Sequence, residues 1–137
     1  MIDPFFCDSD SLAIIGLSHD PYDISYKVYD LLKDEFDGLY PINPRMTRLI
    51  TGERCYKSLQ EIPRVDTAIF FTDPCTSKEM LPECKKKGID YVWFQKGSAN
   101  EAVMGEAERL GFVVKHSRIM RLSNFIFSFN SFSLFRW

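Results

Sequence analysis

The chain has 137 residues, of which 45% are hydrophobic and 26% are charged, and its formal net charge is −2. This composition indicates one compact globular domain and excludes a disordered or low-complexity chain. No apolar stretch approaches the roughly 20 residues that span a bilayer. The N-terminus has no basic segment before its apolar residues. We therefore expect a cytoplasmic protein without a signal peptide or membrane contact.

The charge is unevenly distributed along the chain. Residues 1–108 contain 12 basic and 19 acidic residues, a net charge of about −7, and no acidic residue follows Glu108. A segment with this much negative charge repels the phosphate backbone of nucleic acids. We therefore predict that the protein does not bind nucleic acid. The cysteines show no C-x-x-C spacing, so we predict reduced thiols and no metal site. The four are Cys7, Cys55, Cys75 and Cys84.

The first half of the chain alternates strand and helix patterns. The apolar run 11–17 predicts a strand buried on both faces. Apolar residues at helical spacing predict a helix over 25–36, with Ser25 as its N-cap. A second strand is predicted at 38–42, followed by a long polar connection and one helical turn at 58–62.

The second half repeats the same plan. Strands are predicted at 66–72, 89–94 and 112–116. Capping-box pairs begin the helices between them, Thr76 with Glu79 and Ser98 with Glu101. Pro82 is expected to kink or delay the first of these helices, and Gly88 is expected to end it.

This alternation predicts an α/β fold. We expect a Rossmann-like, doubly wound parallel sheet of about five strands in three αβα layers. Ligands of such sheets bind beyond the carboxyl ends of the strands, near the topological switch point. Four loops should therefore converge on one crevice, and they are residues 16–18, 43–45, 72–74 and 95–97.

The segment "AIIGLSHDPYDISYKV" is a strand, a glycine turn and a helix start. Gly16 stands alone, without the second and third glycines of a dinucleotide fingerprint. Two interpretations of equal weight follow: a tight turn only, or amides from Ser18 onward that face a diphosphate together with the helix amino end. Asp20 and Asp23 oppose the second interpretation unless their carboxylates point away.

Four segments then occur in a characteristic order and spacing: "IIGLSHDPYDISYKVYDLL", "YPINPR", "GERCYKSLQEIP" and "VWFQKGSANEAV". Together they resemble the CoA-binding protein family, small Rossmann-like proteins similar to the nucleotide-binding domain of the succinyl-CoA synthetase α subunit. The resemblance implies a CoA-binding domain at 11–116, with an N-terminal extension at 1–10 and an aromatic tail at 117–137.

The resemblance also implies that coenzyme A, or an acyl-CoA, is the small-molecule ligand. The glycine turn and helix start correspond to the family's phosphate-facing turn, and the loop after the second strand borders the adenosine. Pro74 ends the third strand, and the loop after the fourth strand lies where the pantetheine arm leaves. The implied binding residues are Gly16, Ser18, Ser25, Tyr26, Asn43, Pro44, Arg45, Pro74, Gln95 and Gly97.

This chain departs from the family at two places. Ile24 stands where the family often has an arginine, which weakens phosphate binding, and Ser117 and Arg118 stand near where a cysteine is usual. Basic residues after the second strand offer a partial replacement, because arginine forms paired hydrogen bonds with phosphate. Arg45 is the simplest candidate for a ribose 3′-phosphate, among Arg45, Arg48, Arg54 and Lys57.

Three functions remain open at this point. The first is CoA binding without catalysis, since no catalytic residues are recognised. The second is an enzyme that uses NAD(P) or another nucleotide, against which stands the absence of an acidic residue after the second strand, where Ile42 and Asn43 lie. The third is an interaction protein with a degenerate nucleotide site.

The C-terminal tail has its own pattern. Phe125, Phe127 and Phe129 alternate with other residues, which predicts a strand. We expect it to pack on a neighbouring subunit of a homodimer, on a protein partner or on the sheet edge. The alternative is a disordered extension.

Overall fold

The structure, a computed structural model, describes residues 11–117, 119–122 and 125–128. Five strands form one parallel sheet in the order β2-β1-β3-β4-β5. The strands are β1 (Ser11–Ile15), β2 (Gly38–Ile42), β3 (Thr67–Phe70), β4 (Tyr91–Gln95) and β5 (Val113–Ser117). The helices between them are α1 (Ile24–Leu32), α2 (Pro74–Lys87) and α3 (Glu101–Arg109), with a short 3-10 helix at Leu59–Glu61. The predicted α/β Rossmann-like class is confirmed.

The central strands β1, β3 and β4 are mostly apolar because both faces of the sheet are covered. One face packs against α2 and α3, and its central residues are Ala13, Ile15, Ala68, Phe70, Val92 and Phe94. The other face packs against α1, and its central residues are Leu12, Ile14, Ile69 and Trp93. All ten are at most 2% exposed. Side chains alternate between the faces along each strand, so two cores and three layers result.

The switch point of this sheet lies between β1 and β3. From β1 the chain passes through α1 to β2 on one side of the sheet, and β3 pairs with the other edge of β1. Because α1 covers one face and α2 the opposite face, the two helices diverge beyond the carboxyl ends of β1 and β3. This divergence leaves room for a ligand.

The predicted N-caps of α1 and α3 were wrong by two residues each. Asp23 caps α1, its side chain accepting from the amide of Ser25. Asn100 caps α3, its side chain accepting from the amide of Val103. The hydroxyl of Ser98 donates instead to the carbonyl of Gln95 at 2.7 Å.

Helix α2 also begins earlier than its capping-box pattern predicted. Asp73 is the N-cap and accepts from the amide of Thr76, and Pro74 is the first helical residue rather than the end of β3. Proline suits that position because its missing amide would have no partner there. The helix continues through Pro82, which lies on the exposed side, where water can satisfy the carbonyl that proline leaves free. Gly88 ends the helix as predicted, with φ of 94°.

The tail contributes a separate antiparallel pair of strands, β6 (Ile119–Leu122) and β7 (Phe125–Ser128). The predicted strand at Phe125 and Phe127 is thus confirmed, while Phe129 and the N-terminal extension 1–10 lie outside the described residues. The proposed packing of the tail on a partner stays a prediction. Within the described part of the chain, no helix is long and apolar enough to cross a membrane.

The cysteines of the described residues carry free thiols. Cys55 and Cys84 are buried and Cys75 is exposed. Burial raises the pKa of Cys84 to about 12, so that thiol is un-ionised at neutral pH. Cys7 lies outside the described residues. Across residues 11–116, no cluster of three or more His, Cys, Asp or Glu side chains could bind a metal ion.

Candidate functional site

A crevice of about 260 Å³ lies at the switch point, beyond the carboxyl ends of β1, β3 and β4. Three loops form its walls, one after each of these strands, as expected for a parallel sheet. The lining residues are Asp23, Ile24, Phe71, Thr72, Asp73, Gln95, Lys96, Gly97 and Ser98. The loop after β2, the fourth loop predicted to converge here, contributes no lining residue.

Gly16 forms the turn after β1 and faces protein, not open space. Its φ is 91°, and a Cβ there would lie 2.8 Å from Thr72 Cγ2 and 3.1 Å from the Thr72 amide nitrogen. The amides of Gly16 and Leu17 both donate to the carbonyl of Ile42. Of the two interpretations left open by the sequence, the structure supports a tight turn that lets β1 and β3 approach each other.

A hydrogen-bonded network organises the loop between β1 and α1. The amide of Ser18 donates to Ser25 Oγ at 2.9 Å, and Ser25 Oγ donates to Asp23 Oδ2 at 2.6 Å. The amide of Ser25 donates to the same carboxylate oxygen at 2.9 Å. Asp20 likewise uses its carboxylate within the loop, accepting from the amide of Tyr22. The amides expected to bind phosphate at Ser18 and Ser25 are therefore engaged inside the protein.

Two amides at the start of α1 remain free. Those of Ile24 and Tyr26, in the first turn of α1, have no acceptor among the described residues. Ile24 lines the crevice, so this helix start offers unpaired donors and the positive end of the helix dipole to an anion. Ser18 adds a hydroxyl donor, because its Oγ accepts from the amide of Asp20 and keeps its own proton.

The β3 wall carries a second carboxylate. Asp73 accepts from the amide and the hydroxyl of Thr76, both at 2.9 Å. These hydrogen bonds hold the pKa of Asp73 below its usual range, so it is ionised at neutral pH. Beside it, Thr72 Oγ1 lies 2.7 Å from Ser77 Oγ, an interaction that links the loop to α2.

Among the described residues that line the crevice, the β4 wall supplies the only cation. Gln95 and Ser98 are buried, and the Ser98 hydroxyl fixes the turn by donating to the Gln95 carbonyl. Gly97 has φ of 97°, and a Cβ there would meet no atom within 4 Å. Lys96, between them, is exposed. Lys96 was not among the predicted site residues, although its position at the end of a strand was a usable signal.

The loop after β2 is held against the β1 turn, outside the crevice. Asn43 Nδ2 donates to the carbonyl of Leu17 at 2.7 Å, and Asn43 Oδ1 accepts from the amide of Arg45 at 2.8 Å. Tyr26 is 2% exposed, with its hydroxyl 3.2 Å from Thr51 Oγ1 in the same loop. Of the ten residues that the resemblance implied, only two line the crevice, Gln95 and Gly97.

The basic side chains of the loop after β2 differ in whether they are free to contact a ligand. Arg48 Nη1 donates to the carbonyl of Gly52 at 3.0 Å. The guanidinium of Arg54 lies 4.5 Å from the ring centroid of Tyr56, a cation–π contact. Within the described part of the chain the side chain of Arg45 has no hydrogen-bond or ion-pair partner, and it is exposed. Arg45 is therefore free to contact a ligand.

The geometry can be compared with known proteins. The model of a family described as "CoA binding domain" matches residues 10–122. The chain belongs to this family. Over 94 residues, or 67% of the chain, it is 40% identical to the acetate–CoA ligase (ADP-forming) II subunit alpha of Pyrococcus furiosus. Over 80 residues, or 58% of the chain, it is 35% identical to the acetate–CoA ligase (ADP-forming) of Methanocaldococcus jannaschii.

These curated relatives are much longer than this chain. The matched segment covers 20% of the Pyrococcus subunit and 11% of the Methanocaldococcus protein. A solved structure of similar size, a hypothetical protein from Pyrococcus horikoshii OT3, has a TM-score of 0.75 and 27% identity, covering 83% of this chain and 80% of that one. The CoA binding domain thus resembles both a part of larger ligases and a small separate protein.

Ser25 gives a stability prediction for this CoA binding domain. Replacing the buried Ser25 with alanine leaves the part-buried Ser18 amide without its acceptor. We expect Ser25→Ala to lower the free energy of unfolding by about 1–3 kcal/mol. The matched control is Ser18→Ala, which frees only the exposed amide of Asp20 to water and should cost about 0.5 kcal/mol. Equal urea midpoints for the two variants would contradict the network.

Proposed function

We propose that the chain binds coenzyme A, or an acyl-CoA, with its diphosphate between the first turn of α1 and Lys96. One observation carries this proposal: Ile24, whose amide is free, lies at a helix start and lines the switch-point crevice, and the opposite wall carries a cation. A diphosphate accepts hydrogen bonds from exposed helix amides and is attracted to a lysine ammonium. Membership of the CoA binding domain family supports the choice of ligand.

The size of the crevice sets how CoA is arranged. At about 260 Å³ the crevice is smaller than the 300–1,000 Å³ pockets of drug-sized ligands, and it accommodates the diphosphate and the start of the pantetheine arm. The adenosine then extends over the loop after β2, where Arg45 is free to pair with the 3′-phosphate. The arm leaves past Gly97, where the missing side chain leaves open space.

The charge of the crevice predicts modest affinity. Asp23 and Asp73 outnumber Lys96 among its lining residues. Both carboxylates cap helices, so each partly neutralises a helix dipole that would otherwise favour an anion. The two aspartates therefore stabilise the helix starts and lower the affinity of the crevice for phosphate.

Removing one of these charges should tighten binding. Asparagine also caps helices well, so Asp23→Asn keeps the start of α1 and deletes a negative charge. At about 5 Å in a water-like dielectric this charge repels a phosphate charge by about 1 kcal/mol, so the Kd for CoA should fall roughly fivefold. The control is Asp34→Asn, the same charge change beyond the far end of α1. Calorimetry that shows equal gains for both variants would contradict a local effect.

We further propose that the chain is a binding module without catalysis of its own, acting with other domains or subunits of a ligase. The curated relatives are an ADP-forming acetate–CoA ligase and a subunit of another, of which this chain matches a small part. The direct test is to incubate the purified chain with acetate, CoA and ATP and to measure ADP. The proposal expects no ADP above the enzyme-free control, and sustained turnover by the chain alone would overturn it.

A further inference from the structure

A second and larger cavity lies at the other end of α2. It measures about 440 Å³ and is lined by Leu59, Gln60, Arg64, Glu83, Lys86 and Lys87. Three of these residues are cations and one is an acid, so the lining has a formal charge of +2. This charge is opposite to that of residues 1–108 as a whole, which have a net charge of about −7. We call this cavity the basic cleft.

The side chain of Arg64 packs against the backbone of a glycine. Gly88 has φ of 94°, and a Cβ on it would lie 2.6 Å from Arg64 Nε and 3.1 Å from Arg64 Cζ. Only glycine allows the guanidinium to lie this close to the backbone that ends α2. Among the described residues Arg64 has no carboxylate partner. Its guanidinium therefore lies against the end of α2 without a carboxylate partner among the described residues.

The lysines of the last turn of α2 have different roles. Lys87 Nζ donates to the carbonyl of Ile62 at 2.8 Å and ties α2 to the segment after the 3-10 helix. Lys85 Nζ lies 4.7 Å from the ring centroid of Phe112 and does not line the basic cleft. Lysines at a helix C-terminus are favourable in themselves, but Arg64 comes from outside the helix. Arg64 and Lys86 are therefore the two cations open to a ligand.

The basic cleft is remote from the proposed CoA site. Helix α2 has 14 residues and is about 20 Å long. Its N-cap, Asp73, lines the crevice at the carboxyl edge of the sheet, whereas its last turn lines the basic cleft at the amino edge. A ligand in the cleft is thus a second ligand and not a part of CoA bound in the crevice.

We propose that the basic cleft binds a small phosphorylated anion. A guanidinium forms paired hydrogen bonds with phosphate oxygens, and Lys86 adds a second charge. Gln60 supplies an amide and Leu59 an apolar surface for an organic group. The volume lies within the roughly 300–1,000 Å³ typical of small-molecule sites. The proposal is independent of CoA binding.

The experiment titrates the purified chain with inorganic pyrophosphate, in the absence of CoA, and follows backbone amide shifts by NMR. We expect saturable shifts at Arg64 and at 86–88, and weaker binding by roughly 10-fold or more in Arg64→Gln. Lys86→Gln is a second variant in case the first is poorly folded. The matched control is Lys85→Gln, on the same helix turn and with the same charge change, which should alter the Kd less than about twofold.

Three results would overturn the proposal. One is the absence of saturation at millimolar pyrophosphate with wild-type protein. The other is an equal loss of affinity in Arg64→Gln, Lys86→Gln and Lys85→Gln, which would mean that general charge and not the cleft attracts the anion. A repeat with saturating CoA should leave the pyrophosphate affinity unchanged, and competition between the two would place pyrophosphate in the crevice instead.

Discussion

Replacing Gly16 with alanine should lower the free energy of unfolding by about 2–5 kcal/mol. The left-handed conformation at this position costs an L-residue roughly 1–2 kcal/mol. The added Cβ would also meet Thr72 at 2.8 Å and its amide nitrogen at 3.1 Å. Forcing apart two packed strand ends costs about 1–3 kcal/mol more. The measurement is urea denaturation of the purified variant followed by circular dichroism.

Gly97→Ala is the matched control. Gly97 has nearly the same φ, 97°, but a Cβ there meets no atom within 4 Å. Only the conformational cost of roughly 1–2 kcal/mol applies, while the new methyl group narrows the crevice. Gly97→Ala should therefore affect CoA affinity more than stability, and Gly16→Ala the reverse. Equal stability of the two variants would show that the contact of Gly16 with Thr72 is not important.

Removing Arg45 should erase the preference for CoA over dephospho-CoA. The two ligands differ by the 3′-phosphate alone. A charge-assisted hydrogen bond of about 1.5–3 kcal/mol corresponds to roughly 10- to 150-fold discrimination. In Arg45→Ala the Kd for CoA should rise by that factor, with dephospho-CoA nearly unchanged. Isothermal titration calorimetry with both ligands measures the ratio.

Arg48→Ala separates this contact from a general field effect. Arg48 lies in the same loop, but its guanidinium already donates to the carbonyl of Gly52. Its removal should leave the ratio of the two Kd values unchanged. Equal Kd values for CoA and dephospho-CoA in the wild-type protein would contradict the role of Arg45. So would a loss of the preference for CoA in Arg48→Ala.

The sheet could be predicted from sequence because each buried strand is recognisable from its own run of apolar residues. Segments 12–15 and 68–70 are continuously apolar, a pattern that indicates cover on both faces of the sheet. The helix starts were harder because several capping residues compete in one loop. Asp73 followed by Pro74 was a readable signal for α2. In the loop before α3, the pair Ser98 and Glu101 matched a capping box, but Asn100 is the residue that caps the helix.

The site was predictable only at the level of loops. The rule that strand ends converge identified the region of Gln95 and Gly97. It did not show that the side chain of Asn43 holds its loop behind the β1 turn. Nor did it show that Gly16 faces Thr72, because that contact joins residues far apart in the chain. The free amides of Ile24 and Tyr26 became visible only once the hydrogen-bond partners of the neighbouring amides were known.

The most direct test of CoA binding is a calorimetric titration of the wild-type chain with CoA, with NAD as the comparison ligand. Both carry an adenosine diphosphate unit, but NAD lacks the 3′-phosphate and the pantetheine arm. We expect saturable binding of one CoA per chain and much weaker binding of NAD. Equal affinity for both, a preference for NAD, or no heat with CoA at millimolar concentration would contradict it.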